Sequence, residues 1–262
     1  MLPTPCTSHV SFDTIYEPSE DSYLFLDTLS STSESAWLSQ RFASATTPTP
    51  LVVEVGTGSG VVLAFTAANS SQIFGRRDIL TLGIDVNRDA CLATQGTVVK
   101  AVEERQSESQ SESGPDTVVK TPYLASVTCD LTTSLRPGAV DVLLFNPPYV
   151  PTEALPELPV SGGRGEPRSK FDEESYLLSL TYAGGMDGME TTRRLLDAIP
   201  GILHPVTGVA YVLLCKQNRP EEVKQGIRDW GGGWQAETVG NSGKQAGWEK
   251  LVIVRIWRSS IE

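Results

Sequence analysis

The run Leu51-Val52-Val53-Glu54-Val55 passes directly into Gly56-Thr57-Gly58-Ser59-Gly60 and then into an apolar, alanine-containing stretch from Val61 to Ala68. A near-continuous apolar run of this length reads as a strand buried on both faces, as in a parallel sheet. Parallel strands need crossover connections, so a strand, glycine loop and helix in succession point to an α/β fold rather than a helix bundle or a β-sandwich. The glycine spacing departs from the dinucleotide fingerprint G-x-G-x-x-G, in which N–H groups at a helix start hold a pyrophosphate. Here it is G-x-G-x-G, with Glu54 two residues ahead of Gly56. A carboxylate in that place repels a pyrophosphate and suits a ligand bearing an ammonium group.

Three further strand-like runs end in polar tips. Ile79 to Ile84 ends in Asp85, an acid placed to accept hydrogen bonds from both hydroxyls of a ribose. The weaker run Ala125 to Cys129 leads into Asp130 and Leu131, placed for an adenine amine and ring. Taken singly, each aspartate has a plainer reading as a helix cap or turn residue. Asp141 to Phe145 leads into Asn146-Pro147-Pro148-Tyr149. Asn-Pro by itself is a common turn initiator. A rigid, polar-tipped turn can also grip a planar NH2 group. The side-chain oxygen of Asn146 can accept one N–H, and the carbonyl of Pro147, in a segment stiffened by two prolines, can accept the other. An amide or aromatic amine nitrogen is a poor nucleophile while its lone pair is delocalised, and holding both hydrogens lets it pyramidalise. Tyr149 offers an aromatic face to a flat group or a nearby cation. Glu54, Asp85, Asp130 and Asn146 thus form an ordered series of polar strand ends, where open parallel sheets bind ligands. S-adenosylmethionine, which has an ammonium, a ribose and an adenine but no phosphate, matches that series.

With these motifs the chain resembles the class I S-adenosylmethionine-dependent methyltransferases, and among them the HemK-like N5-glutamine methyltransferases that modify protein release factors. Tyr16-Glu17-Pro18-Ser19-Glu20-Asp21-Ser22 is similar to the family's Y-x-P-x-E-D-[ST] element, which closes over the cofactor, although the same residues also read as the start of a helix from Tyr23 to Leu29. Tyr182-Ala183-Gly184-Gly185-Met186-Asp187-Gly188 resembles the family's A-G-G-x-[DN]-G turn, which alone would indicate only flexible backbone. The resemblance runs from Tyr16 to Trp257, and only fifteen residues precede Tyr16, so the chain looks like the short eukaryotic and archaeal branch that lacks a helical N-terminal domain. It implies a doubly wound, seven-stranded, mostly parallel Rossmann-like sheet ending in an antiparallel edge hairpin, in a single domain over 1–262. It implies S-adenosylmethionine as cofactor and the glutamine of the GGQ motif in the class I translation termination factor as substrate. It also implies a heterodimer with a small zinc-binding activator. Carried over, the cofactor residues are Ser22, Glu54, Gly56, Asp85, Asp130, Leu131 and Asn146. Asn146, Pro147 and Tyr149 face the substrate, and Asn146, Pro147, Pro148 and Tyr149 form the catalytic tip.

Composition agrees. The formal net charge of −11, with 32 acids against 21 bases, disfavours the rival reading of a nucleic-acid adenine N6-methyltransferase, which needs a basic surface to neutralise phosphates. A protein lysine methyltransferase is the other rival enzyme, and a non-catalytic binding module the rival of a different class; the intact motifs argue against the latter. No run of 18 or more apolar residues and no charged-then-apolar leader is present. Residence in the cytoplasm, with a nuclear pool not excluded, is the expectation. Cys6, Cys91, Cys129 and Cys215 are scattered without C-x-x-C spacing, so no metal site is expected in the chain itself. His9 and His204, its two histidines, fall in no motif.

The remaining elements are scaffold. The Ser/Glu-rich stretch 103–116 lacks aromatics and reads as a mobile insertion. Ser161 to Lys170, with its glycines and Arg164, Arg168 and Lys170, is a candidate substrate lid. Thr191 to Leu203 and Pro220 to Trp230 read as helices, and Gly208 to Leu214, Trp234 to Val239 and Lys250 to Trp257 as strands.

Overall fold

A computed structural model describes residues 2–43, 47–112, 123–158, 169–243 and 250–259. In chain order the elements are α1 (Glu20–Leu29), α2 (Thr32–Arg41), β1 (Leu51–Val55), α3 (Val61–Ala68), α4 (Ser70–Phe74), β2 (Leu80–Asp85), α5 (Arg88–Glu112) and β3 (Tyr123–Thr128). They continue as β4 (Val142–Phe145), α6 (Lys170–Tyr182), α7 (Glu190–Ile202), β5 (Val209–Cys215), α8 (Pro220–Arg228), β6 (Trp234–Asn241) and β7 (Leu251–Arg258). All seven strands join one sheet in the order β3-β2-β1-β4-β5-β7-β6. β1 to β5 run parallel, and β7 pairs antiparallel with both β5 and β6. This is the doubly wound sheet with a C-terminal antiparallel hairpin that the sequence implies.

Successive strand residues point to opposite faces, and the core divides accordingly. Val52, Val142, Leu144 and Tyr211 pack with α1 to α5 on one face, while Val53, Leu143, Phe145 and Val212 pack with α7 and α8 on the other. Central strands covered twice must be apolar throughout, which is why β1, β4 and β5 are legible as buried runs. Gly60, at the start of α3, has φ +77°, and a Cβ there would lie 2.6 Å from the Thr94 Cα. Only glycine lets α3 begin flush against α5.

The structure differs from the sequence expectations in several places, beyond the helices α2, α4 and α6 that it adds. α1 begins at Glu20 rather than Tyr23, with Glu20 and Asp21 in a first turn where the helix dipole favours acids. β3 starts two residues earlier than expected, at Tyr123. The backbone of α5 stays helical through Glu112, so 103–112 of the expected insertion continues a helix already anchored by Val98 and Ala101. Once nucleated, a helix extends through Glu, Gln and Arg at little cost; 113–116 lies outside the described residues. Of the candidate lid, Ser169 caps α6, its hydroxyl accepting from the Asp172 N–H at 3.2 Å, and Lys170 opens that helix. The segment with Arg164 and Arg168 lies outside the described residues.

Helix α2 has a mostly polar sequence and is held by a buried charge. The Glu34 carboxylate, 3% exposed, accepts from Arg255 Nη1 of β7 at 2.8 and 2.9 Å and from the Tyr211 hydroxyl at 2.8 Å. The guanidinium lies over the rings of Trp37 and Trp257, 4.2 and 4.6 Å from their centroids. Removing one partner of such a pair strands the other charge out of water. Arg255→Met is expected to destabilise the chain by about 3–5 kcal/mol in urea unfolding; a loss below about 1 kcal/mol would show that Glu34 is not dependent on it.

Candidate active site

The sheet order reverses at β1, which has β2 on one side and β4 on the other. The loops leaving the two strands diverge there and open a crevice at the C-terminal ends, the preferred ligand site of such sheets. One cavity occupies it, and every sequence-selected residue lines it: Ser22, Glu54, Gly56, Asp85, Asp130, Leu131, Asn146, Pro147, Pro148 and Tyr149.

Glu54 is 3% exposed, and its Oε2 accepts from the Leu63 N–H of α3 at 2.9 Å. Burial pushes its carboxyl well above the usual carboxylate range; the Leu63 N–H partly offsets this and the nearby Asp85 adds to it. Asp85, at the tip of β2, accepts from the Gly58 N–H at 3.0 Å and from the Asn87 N–H at 2.8 Å. Its carboxyl too is raised by burial, against the pull of those amides. The cap of α5 falls instead to Asn87, whose Oδ1 accepts from the Asp89 N–H at 2.9 Å. Asp85 therefore binds the glycine loop to β2.

Asp130 stands two residues beyond β3 and pairs with Arg194 of α7. Leu131 follows in the left-handed region, φ 48°. Arg194 is the single basic side chain lining the cavity among the described residues, against Asp21, Glu54, Asp85 and Asp130.

Beyond β4, the Asn146 Nδ2 donates to Asp21 Oδ2 at 3.1 Å. The Asn146 Oδ1 is buried and has no hydrogen-bond partner among the described residues. Asp21, 4% exposed, also takes the Ser22 N–H at 2.6 Å and the Ser22 hydroxyl at 3.3 Å on its other oxygen. The backbone after Asn146 is clamped by the 184–188 turn. The Val150 N–H donates to the Tyr182 carbonyl at 2.9 Å, the Gly184 N–H to the Val150 carbonyl at 2.8 Å and the Thr152 N–H to the Gly185 carbonyl at 3.1 Å. Asn218 ties the far side of the turn, donating to the Asp187 carbonyl at 3.1 Å. Gly188, φ +66°, approaches so closely that a Cβ would sit 2.0 Å from the Tyr149 carbonyl oxygen.

No family model matches the chain. Across 98% of its length it is 31% identical to the eRF1 methyltransferase catalytic subunit mtq2 of Schizosaccharomyces pombe, 96% of which is covered. It is likewise 31% identical to Methyltransferase HEMK2 of Mus musculus, with 98% of each chain covered. The chain belongs to the Mtq2 and HEMK2 methyltransferase family. A chain of the solved E. cuniculi Mtq2–Trm112 complex, responsible for the methylation of the eRF1 translation termination factor, superposes on it with a TM-score of 0.51 at 20% identity, over 94% of this chain and 99% of that one. That likeness shares the fold.

Sequence reasoning missed two charged residues of the methyltransferase cavity, Asp21 and Arg194. Asp21 stood inside the Y-x-P-x-E-D-[ST] motif, but its bond to Asn146 spans 125 positions. Arg194 lies in the segment Thr191 to Leu203 that reads as a helix, and nothing local in that segment indicates Asp130 as its partner. His9 and His204 are not among the cavity's described lining; they bond to threonines instead, Thr97 at 3.3 Å and Thr207 at 2.7 Å.

The clamp on the tip gives a test. Gly188→Ala must displace the Tyr149 carbonyl, and an ångström of misplacement at a reacting centre can cost about 100-fold in rate. Methyl transfer by this variant is expected to fall by about that factor with thermal stability reduced only modestly. Wild-type kcat in the variant would show that the close approach is not needed.

Proposed function

We propose that this methyltransferase transfers the methyl group of S-adenosylmethionine to the side-chain nitrogen of the glutamine in the GGQ motif of the class I translation termination factor. In this reading it is the catalytic subunit of a heterodimer with a small zinc-binding activator and works in the cytoplasm, where termination occurs. The observation that carries the reading is the Asn146 Oδ1, buried, unpartnered and at the end of β4 on the crevice. A buried acceptor without a donor costs about 1–3 kcal/mol unless a ligand completes it, and a primary amide N–H is such a donor. The names of the fission yeast relative and of the E. cuniculi complex support the substrate and a small partner for this chain as well.

The residues present fit S-adenosylmethionine. Four acids line the cavity, and its basic side chain is already paired with one of them. That lining suits a cationic ligand and opposes a phosphate-bearing one. Ser22, Glu54 and Gly56 would hold the methionine end, Asp85 the ribose, and Asp130 with the Leu131 backbone the adenine. Bound there, the cofactor supplies an electrophilic methyl on a sulfonium and keeps the electrons of the broken carbon–sulfur bond. Asn146 and Pro147 hold the two hydrogens of the substrate amide and turn its nitrogen lone pair toward the methyl. The nitrogen gives up one proton to water after it becomes cationic, so the chain needs no strong base. Catalysis is then positioning plus electrostatics.

Glu54 makes cofactor binding depend on pH. Its raised pKa keeps the carboxyl neutral below that value and ionised above it, and only the carboxylate pairs with the cofactor's ammonium. Affinity measured by calorimetry is expected to weaken as pH falls through that value, and Glu54→Gln to weaken binding above it and flatten the profile. A wild-type profile that is already flat would remove Glu54 from ammonium binding.

The substrate is tested by mass spectrometry of the GGQ peptide after the release factor is incubated with this chain, S-adenosylmethionine and the activator. One added methyl on the glutamine is expected, lost on omitting the chain and lowered at least about 100-fold by Asn146→Ala. An unmethylated glutamine, with cofactor bound, would overturn this substrate in favour of a lysine or a nucleobase.

A further inference from the structure

We infer that Asp21 is a positioning residue for methyl transfer, fixing the Asn146 amide and charging its oxygen against the nitrogen that receives the methyl. The inference rests on the proposed substrate chemistry, in which the acceptor is a planar NH2 group. An asparagine amide has two nearly isosteric orientations, and only its hydrogen bonds choose between them. Asp21 makes that choice: its Oδ2 lies 3.1 Å from the Asn146 Nδ2. Rotated by 180°, Asn146 would set its oxygen against the carboxylate and turn its NH2 toward the acceptor's own N–H groups, donor against donor. With Asp21 in place, Oδ1 is the atom left buried without a partner among the described residues.

The carboxylate is itself fixed. Its Oδ1 takes the Ser22 N–H at 2.6 Å and the Ser22 hydroxyl at 3.3 Å, and the side chain is 4% exposed. Both Ser22 donors need an acceptor, so an aspartate at this position receives from both sides. An asparagine could receive on one side only and would present its NH2 either to Ser22 or to Asn146. Charge matters as well as direction. The acceptor nitrogen goes from neutral to cationic as it forms its new bond, so a negative charge relayed through Asn146 binds the transition state more tightly than the substrate. Hydrogen bonds in series polarise one another, which enriches Oδ1 in negative charge. The Ser22–Asp21–Asn146 chain also connects the N-terminal segment, on the expected cofactor side, to the tip that holds the acceptor.

The experiment compares wild type, Asp21→Asn and Asp21→Glu in complex with the activator by two readouts. In single-turnover methylation of the release factor at saturating cofactor, Asp21→Asn is expected to lower the rate by about 100-fold, a loss larger than any fall in cofactor affinity by calorimetry. A merely structural residue would lower affinity as much as the rate, and melting temperature with them, and that result, or an unchanged rate, would overturn the proposal. The second readout needs no substrate. In protein labelled with 15N at asparagine side chains, the Asn146 NH2 pair, assigned by its loss in Asn146→Ala, is expected to shift and to exchange faster with water in Asp21→Asn. Identical NH2 shifts and exchange in wild type and Asp21→Asn would sink the proposed lock. If wild type left the glutamine unmethylated while the NH2 signals changed as expected, the substrate reading would fail and the lock would stand.

Discussion

The reversal of strand order at β1 is the constraint on which the rest depends. Because β2 and β3 lie on one side of β1 and β4 and β5 on the other, the loops after β1 and β4 leave in opposite directions and cannot cover one another. The crevice follows from topology before any side chain is chosen. The register then sets its floor, with Glu54 paired across to Gly83 on β2 and to Leu144 on β4. A carboxylate between such neighbours has little room to reach solvent, and its nearest donor is the Leu63 amide at the first turn of the helix it precedes.

On that floor the backbone that follows Asn146 is fixed by main-chain hydrogen bonds. Two prolines limit the torsions of the tip, and the 184–188 turn docks by main-chain hydrogen bonds and a glycine that admits no Cβ. Such contacts have sharp distance dependence and few alternative rotamers, so they fix position at small entropic cost. For a reaction in which the chain supplies no covalent chemistry, rigid placement of two acceptors is where rate is gained.

The legible parts of the chain were those in which one physical cause acts locally. β1, β4 and β5 are buried on both faces and announce themselves as apolar runs; the polar residues near the C-terminal ends of β1, β2 and β4 mark the crevice because they recur there as an ordered series. Helix α2 was illegible because Thr32 to Arg41 has few apolar residues, and its anchor is Glu34 reaching Arg255 from 221 positions away. α6 was hidden for a related reason: its sequence follows a glycine-rich polar stretch, and it buries none of its residues fully. The extension of α5 escaped because composition reports what a segment can bury, whereas a helix already nucleated by packing continues without burying more. Asp21 was visible as a motif letter but not as the partner of Asn146, since hydrogen-bond pairing across the fold leaves no local pattern.

Two sets of buried acids in the same chain separate structure from function. Glu34 has a guanidinium and a phenol hydroxyl within 2.8 Å, so its charge is met by the protein itself. Glu54 and Asp85 are buried to a similar degree but are served by amide N–H groups; among the described residues no cation offsets the burial that raises both. A fold selected only for stability would replace them with apolar residues, since an uncompensated buried carboxylate is costly. At a crevice that topology leaves open they fit the proposed ligand, whose ammonium would meet Glu54 and whose ribose hydroxyls would meet Asp85. A cationic group arriving at Glu54 lowers the cost of that buried acid, whereas an anionic competitor raises it.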